Sequence, residues 1–143
     1  MGNNIKNIKK TNLNIFKVPG GDVLHAIHKA DPYLRGFGEV YFSKINAGHI
    51  KGWKRHKRMT LNLVVPVGNV LFAFIDSEGS TSHEIIGENN YIKLMVPPLI
   101  WFSFKGIDKP YSLIMNFADI PHDPEEVERK DINQINFNWE ELK

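Results

Sequence analysis

Gly48-His49-Ile50-Lys51-Gly52-Trp53-Lys54-Arg55-His56-Lys57-Arg58-Met59-Thr60-Leu61-Asn62-Leu63-Val64-Val65-Pro66-Val67-Gly68 is the stretch on which the reading of this chain turns. Its first half is basic and aromatic, with Lys51, Trp53, Lys54, Arg55, His56, Lys57 and Arg58 close together. Its second half, Leu61 to Pro66, is rich in β-branched residues and runs into a turn at Val67, Gly68 and Asn69. Runs of this kind, bounded by Gly, Asn, Asp and Pro, read as strands. They recur on both sides. Gly38 to Ile45 lies upstream, and Val70 to Asp76, His83 to Ile86, Tyr91 to Val96, Trp101 to Lys105 and Tyr111 to Phe117 follow downstream. A strand-like run every 8–12 residues or so predicts an all-β sandwich or jelly roll. Helix is expected only in short peripheral pieces, at Asp22 to Ala30 and Asp123 to Arg129. In the second, Asp123 suits an N-cap and Pro124 the first helical position.

The 143 residues make room for one domain. Within it, residues 1–12 read as a solvated tail or a loosely attached first strand, residues 22–117 as the barrel, and residues 121–143 as a C-terminal extension docked through Trp139. Hydrophobic residues at 42% and charged residues at 24% exclude a disordered or fibrous chain. The absence of cysteine removes disulfides, thiolate zinc sites and a cysteine nucleophile, and agrees with a cytoplasmic location. A net charge of +2, from 18 basic and 16 acidic residues, demands no nucleic-acid partner. No apolar run is long enough for a signal-peptide core or a membrane span, so no membrane partner is expected. Met1-Gly2 resembles a myristoylation start, but Lys6 stands where that pattern has Ser or Thr.

The spacing of the opening stretch resembles the first motif of the cupin family, a Gly, then five residues, His-x-His, a Glu and a second Gly. Here five residues separate Gly48 from Lys54-Arg55-His56, and Leu61 and Gly68 follow at the matching distances. Lys54 replaces the first His ligand, and Leu61, or Thr60 at the shorter spacing, replaces the Glu. In the second cupin motif, matched by Pro97-Pro98-Leu99-Ile100-Trp101-Phe102, Phe102 takes the last ligand position. A zinc or iron site needs several converging N or O donors. The resemblance therefore implies a cupin jelly roll, a double-stranded β-helix, with no metal and no other cofactor.

Within the metal-free cupins the resemblance narrows to nucleotide-sugar isomerases. Lys51-Gly52-Trp53-Lys54-Arg55-His56-Lys57 is similar to the Arg-Gly-aromatic-His-Ala-His-Lys segment of the sugar 3,4-ketoisomerases, and to the Arg-Gly-Leu-His-x-Gln segment of the dTDP-4-dehydrorhamnose 3,5-epimerases. Glu39-Val40-Tyr41-Phe42 resembles the ketoisomerase strand that bears an active-site Tyr. Val96 to Trp101 resembles their Pro-Pro-Gly-x-Trp turn, and Pro121 to Glu126 their post-barrel segment. The departures are specific. Lys54 occupies the position of the epimerase base, Ala118-Asp119-Ile120-Pro121 lacks the epimerase Tyr, and Asn62 aligns with the epimerase Lys. The resemblance implies isomerisation or epimerisation of a nucleotide-linked 4-keto-6-deoxy sugar in surface-polysaccharide biosynthesis, by a homodimer.

Such chemistry removes a proton beside a keto group, and it needs a base of near-neutral pKa and donors facing the enolate oxygen. His56 is the base the residues offer, kept neutral by the cations around it. Lys54 is either a second base or a surface lysine, and Tyr41 assists. If strand alternation carries through the turn, Lys54, His56, Thr60, Asn62 and Val64 share one face, with Lys54 and Asn62 as donors. Lys51, Arg55, Lys57 and Arg58 either hold a diphosphate or form a soluble edge. Trp53, Trp101, Tyr41 and Phe102 either wall a pocket or fill the core. His122-Asp123 reads as a turn and cap. Two other classes stay open: a cupin that binds a nucleotide sugar without turning it over, and a single-strand nucleic-acid binder, which the confinement of the basic residues to one segment disfavours.

Overall fold

The computed structural model describes residues 2–142; Met1, with the myristoylation-like start it opens, and Lys143 lie outside the described residues. Twelve strands carry the fold. In chain order the first six are β1 (Lys9–Asn12), β2 (Ile15–Phe16), β3 (Val23–Leu24), β4 (Glu39–Asn46), β5 (Ile50–His56) and β6 (Leu61–Val67). The others are β7 (Asn69–Ile75), β8 (Thr81–Gly87), β9 (Ile92–Val96), β10 (Trp101–Gly106), β11 (Tyr111–Ala118) and β12 (Val127–Lys130). One sheet runs β1-β9-β6-β11-β4 and a second β12-β5-β10-β7-β8, with β2 and β3 forming a separate hairpin. All the strand pairs in these sheets are antiparallel. The all-β jelly roll expected of the sequence is the observed architecture.

The two sheets face each other across one apolar core. Leu61, Leu63 and Val65 of β6, Leu94 and Val96 of β9, and Ile114 of β11 meet Phe72 and Phe74 of β7 and Phe102 and Phe104 of β10. The period-two alternation of β6 and β11 sets these side chains inward. A second cluster lies on the outer face of the second sheet. There Trp53, Leu71, Ala73 and Trp101 are covered by Ile132, Ile135, Phe137 and Trp139 of the C-terminal extension. The chain crosses from β6 in the first sheet to β7 in the second at Gly68, whose φ of +78° favours glycine, and a Cβ there would sit 2.2 Å from the Ser112 hydroxyl.

Neither expected helix forms as such. The stretch from Asp22 to Ala30 contributes β3 and then irregular chain. Asp123 does cap a helical turn, accepting from the Glu125 N–H at 3.0 Å, but the turn is 3₁₀ and covers only Pro124–Glu126. From Val127 the chain finds its backbone partners in β5 instead, and β12 forms. At the other end Lys9–Asn12 pairs with β9, and Ile5 donates its N–H to Asp76 at 3.0 Å, so this segment holds an attached strand rather than a solvated tail.

Candidate active site

The pairing of β5 decides which of its basic residues face the barrel interior. Phe102 of β10 pairs with Lys54, but Phe104 pairs with Lys51, so β5 carries one residue more than its partner over this step. That is a β-bulge, and it resets the alternation of faces. Lys51 and Lys54, which strict alternation would send to opposite faces, both stand over interior aromatics. Lys51 Nζ lies 5.9 Å from the Phe104 ring and Lys54 Nζ 5.8 Å from the Phe102 ring. His56 follows on the same face, its ring stacked against Phe102 at 6.1 Å and 25°. Tyr41 shares its face of β4 with Ile45, a core residue, and so points inward from the opposite sheet. His56, Lys54 and Tyr41 therefore all face the barrel interior.

His56 is buried, and its Nδ1 hydrogen-bonds the Oε1 of Glu126, itself 2% exposed. The other Glu126 oxygen accepts from the backbone N–H groups of Arg58, at 3.0 Å, and Met59, at 3.1 Å. A carboxylate with its acceptors filled in this way fixes the ring orientation and puts the proton on Nδ1. Nε2, buried and without a hydrogen-bond partner among the described residues, is then left with its lone pair. Burial lowers the His56 pKa below its ordinary 6.5; the Glu126 contact opposes the shift, and Lys54 and Arg129 reinforce it. The imidazole is neutral as expected, but chiefly for want of water rather than because of its sequence neighbours. Two of those neighbours are spoken for: Arg55 pairs with Glu128 at 2.7 Å and Arg58 with Asp123 at 3.0 Å. Burial also pushes Glu126 up, yet the hydrogen bonds from His56, Arg58 and Met59 outweigh it and hold the carboxyl below its usual range.

Around this pair stand cations. Arg129 of β12 lies directly across from Lys54. Burial, then Arg129 and Lys51, pull the Lys54 ammonium below its ordinary pKa. Burial and the carboxylate of Glu39 push Tyr41 up, with Arg129 acting the other way. Among the described residues Lys51, Lys54 and Arg129 form no ion pair. Beside Tyr41, Asn116 donates to the Ser43 hydroxyl at 3.1 Å. Among the described residues no three His, Asp or Glu side chains gather as a metal site would require.

The remaining residues singled out in the sequence lie elsewhere. Trp53 and Trp101 are buried on the outer face of the second sheet, and Arg55 stacks on Trp101 there at 4.9 Å. Lys57 reaches the Glu125 carbonyl at 3.1 Å. Asn62 does not share a face with His56. The chain changes sheets between β5 and β6, the alternation restarts with Leu61 inward, and Asn62 is buried on the outer side between Met95 and Phe117. Nothing in the sequence marks Glu126 or Arg129 as a site residue. The acidic run after Pro124 carried no periodicity that distinguished Glu126 from Glu125 or Glu128.

The turn into β10 bears on the site as well. Leu99 stands where the ketoisomerase-type turn has glycine, and it adopts φ +70°. Its N–H donates to the His56 carbonyl at 2.7 Å, tying the turn to the end of β5.

No protein-family model matches the chain. A solved dTDP sugar isomerase from Desulfovibrio desulfuricans G20 is 32% identical and superposes with a TM-score of 0.89, the match covering 94% of this chain and 92% of that one. The chain belongs to the dTDP-sugar isomerase family. An isomerase or epimerase role follows from that membership. Two curated relatives agree with it. The spore coat polysaccharide biosynthesis protein SpsL of Bacillus subtilis is 24% identical over 116 residues, which is 74% of this chain and 77% of that protein. The probable low-salt glycan biosynthesis epimerase Agl13 of Haloferax volcanii is 26% identical over 99 residues, 64% of each chain. The family's resemblance to this sequence was carried by the stretch from Lys51 to Lys57, and the bulge in that stretch is what turns Lys51, Lys54 and His56 to one side.

Proposed function

We propose that this member of the family isomerises or epimerises a nucleotide-linked 4-keto-6-deoxy sugar through an enolate, with Nε2 of His56 as the base. The observation that carries the reading is the His56–Glu126 contact, which leaves a bare, buried Nε2 on the interior face. In the first step Nε2 takes the proton from the carbon next to the keto group, and the C–H electron pair moves into a C–C double bond as the carbonyl becomes an enolate. Glu126 then faces an imidazolium, and the pair offsets the charge that forms. The Lys54 ammonium and the Tyr41 hydroxyl are the donors for the enolate oxygen. Return of a proton to the opposite face of the same carbon completes an epimerisation; return to the former carbonyl carbon, with the α-hydroxyl proton passing to the enolate oxygen, moves the keto group.

Lys51 and Arg129, two cations without carboxylate partners among the described residues, are the residues we assign to the diphosphate. Arg55, Trp53, Trp101 and Asn62, first considered as substrate contacts, act as architecture in this reading. The active form is a homodimer, supported by the apolar side chains that the outer face of edge strand β4 and its approach leave in water: Phe37 at 69% exposure, Phe42 at 60% and Val40 at 40%. We place the protein in the cytoplasm, where nucleotide-activated sugars are made and used. No helix among the described residues is long and apolar enough to cross a membrane.

Solvent-deuterium incorporation tests the reaction. With a dTDP-4-keto-6-deoxyhexose in D₂O, mass spectrometry and NMR should detect exchange beside the keto group, and His56→Ala should lower its rate by about 10²–10⁴-fold. Tight binding with no exchange would leave a nucleotide-sugar-binding cupin that catalyses nothing. Exchange at native rates in His56→Ala would remove the base assigned here.

A further inference from the structure

We infer that Trp53, Phe137 and Trp139, on the face of the second sheet away from His56, form a clamp that positions the Glu126 carboxylate and the Arg129 guanidinium in the site. The inference rests on the reading of His56 as the base, and makes the C-terminal extension a working part of the active site rather than a cover for apolar surface.

Both groups come from one short segment. Glu126 ends the 3₁₀ turn and Arg129 lies in β12, a strand of four residues at the edge of its sheet, paired only with β5. A strand so short, bonded on one side, holds its place weakly on its own. Upstream it is tied by the Lys57 N–H, which donates to the Glu126 carbonyl at 2.7 Å. Downstream the chain passes through Ile132–Gln134 and crosses to the outer face of the sheet. Phe137 meets Trp53 edge-on at 5.8 Å, Trp139 lies 6.2 Å from Trp53, and the two extension rings contact each other at 4.9 Å. Trp53 is 1% exposed and Trp139 8%. Aromatic contacts of this kind, with Ile132 and Ile135 beside them, attach the extension beyond β12.

The clamp and the site share strand β5. Trp53 opposes Lys130, Lys54 opposes Arg129 and His56 opposes Val127. Outward residues of β5 thus hold the extension, and inward residues receive its carboxylate and its cation. Loosening the clamp lets β12 fray from its C-terminal end, which disturbs Arg129 first and Glu126 next. The catalytic geometry then loosens while the barrel core, a separate cluster, stays packed.

The test uses the full chain. Phe137→Ala and Trp139→Ala are expected to stay folded by circular dichroism, to raise KM several-fold as Arg129 loosens, and to lower kcat about tenfold as Glu126 does. Trp139→Phe should restore most of the rate. The ¹⁵N resonances of the His56 ring should report a single Nδ1-protonated tautomer in the native protein and a mixture in the clamp variants. If an alanine variant does not fold, Phe137→Leu takes its place in the same assays. In the Glu126→Gln background, Phe137→Ala should lower kcat by less than it does in the native protein, because part of what the clamp holds is already gone. The tautomer measurement needs no substrate. A protein without exchange activity whose tautomer shifts in Phe137→Ala would lose the isomerase reading and keep the clamp. A native tautomer and native kcat in a folded clamp variant would overturn the clamp and leave the reaction standing.

Discussion

The ring of His56 and the carboxylate of Glu126 are hydrogen-bonded across 70 positions of sequence, and Glu126 spends its other oxygen on the backbone of Arg58 and Met59, the residues that follow β5. The carboxylate is thus fastened to the turn that ends the histidine's own strand. These bonds fix the Glu126 side chain at the end of β5, and the backbone that carries it is held from the other side by the extension.

Replacing Glu126 by glutamine should lower kcat by about 10²-fold, because the amide presents no charge to the imidazolium and holds the Nδ1 proton less firmly. The contact with Glu126 raises the His56 pKa against the effect of burial. Its loss therefore moves the acid limb of the rate profile to lower pH while the plateau falls. Steady-state rates across pH check both movements, and a limb that moves upward would contradict the assignment.

In the native enzyme the acid limb of kcat/KM should lie below pH 6.5. Protonation of His56 removes the base, and burial has lowered the pH at which that occurs beneath the ordinary imidazole value. Activity is thus retained as pH falls through 6.5 and lost only below it. Should the limb lie above 6.5, either the base is another group or the site takes up more water than the burial of His56 implies.

Lys54→Met should separate activity from stability. The ammonium is desolvated and faces Arg129 and Lys51, both of which pull its pKa down. Methionine, of similar length and uncharged, relieves that repulsion, so the melting temperature should hold or rise. The exchange rate should fall by about 10²-fold with the loss of a donor to the enolate oxygen. A fall in both would point to a structural role for Lys54.

On the outer face of the first sheet, fully buried Lys93 of β9 pairs with Asp31. Burial brings the Lys93 pKa down to about 8, still above neutrality, so the ammonium carries its charge at pH 7. Asp31→Ala strands the ammonium and should cost about 3–5 kcal/mol in urea unfolding, whereas adding Lys93→Met should recover most of the loss. Equal instability of the single and double variants would mean that Asp31 acts through its other contact, the Tyr33 N–H at 2.8 Å.

The strands between Gly38 and Phe117 were legible because each carries a local pattern, apolar residues at every second position closed off by Gly, Pro, Asn or Asp. The expected Leu61 to Pro66 and Tyr111 to Phe117 each fall one residue short of the observed β6 and β11. The helix expected over Asp123 to Arg129 gave way to a turn and a strand because β5 offers backbone partners, a condition absent from the local sequence. Candidate residues divided along the same line. His56, Lys54 and Tyr41 were visible as residue types within a resemblance, and all three face the interior. Trp53 and Arg55 stand beside His56 in sequence, and Trp101 and Asn62 match positions of the family's motifs, but neither signal fixes the face of a sheet, and all four lie on outer faces.

The order of apolar and polar residues by itself determined the all-β class, because strand alternation is a local pattern, and the spacing from Gly48 to Gly68 carried the resemblance to the cupin frame with the basic segment around His56 inside it. Only the tertiary structure decided which side chains face inward and what completes the site. A single bulge in β5 and a change of sheet before β6 each reverse the parity of every residue that follows, and neither leaves a mark in composition. Glu126 and Arg129 reach His56 and Lys54 by pairing between strands far apart in sequence. That pairing is settled when the whole barrel packs and not before.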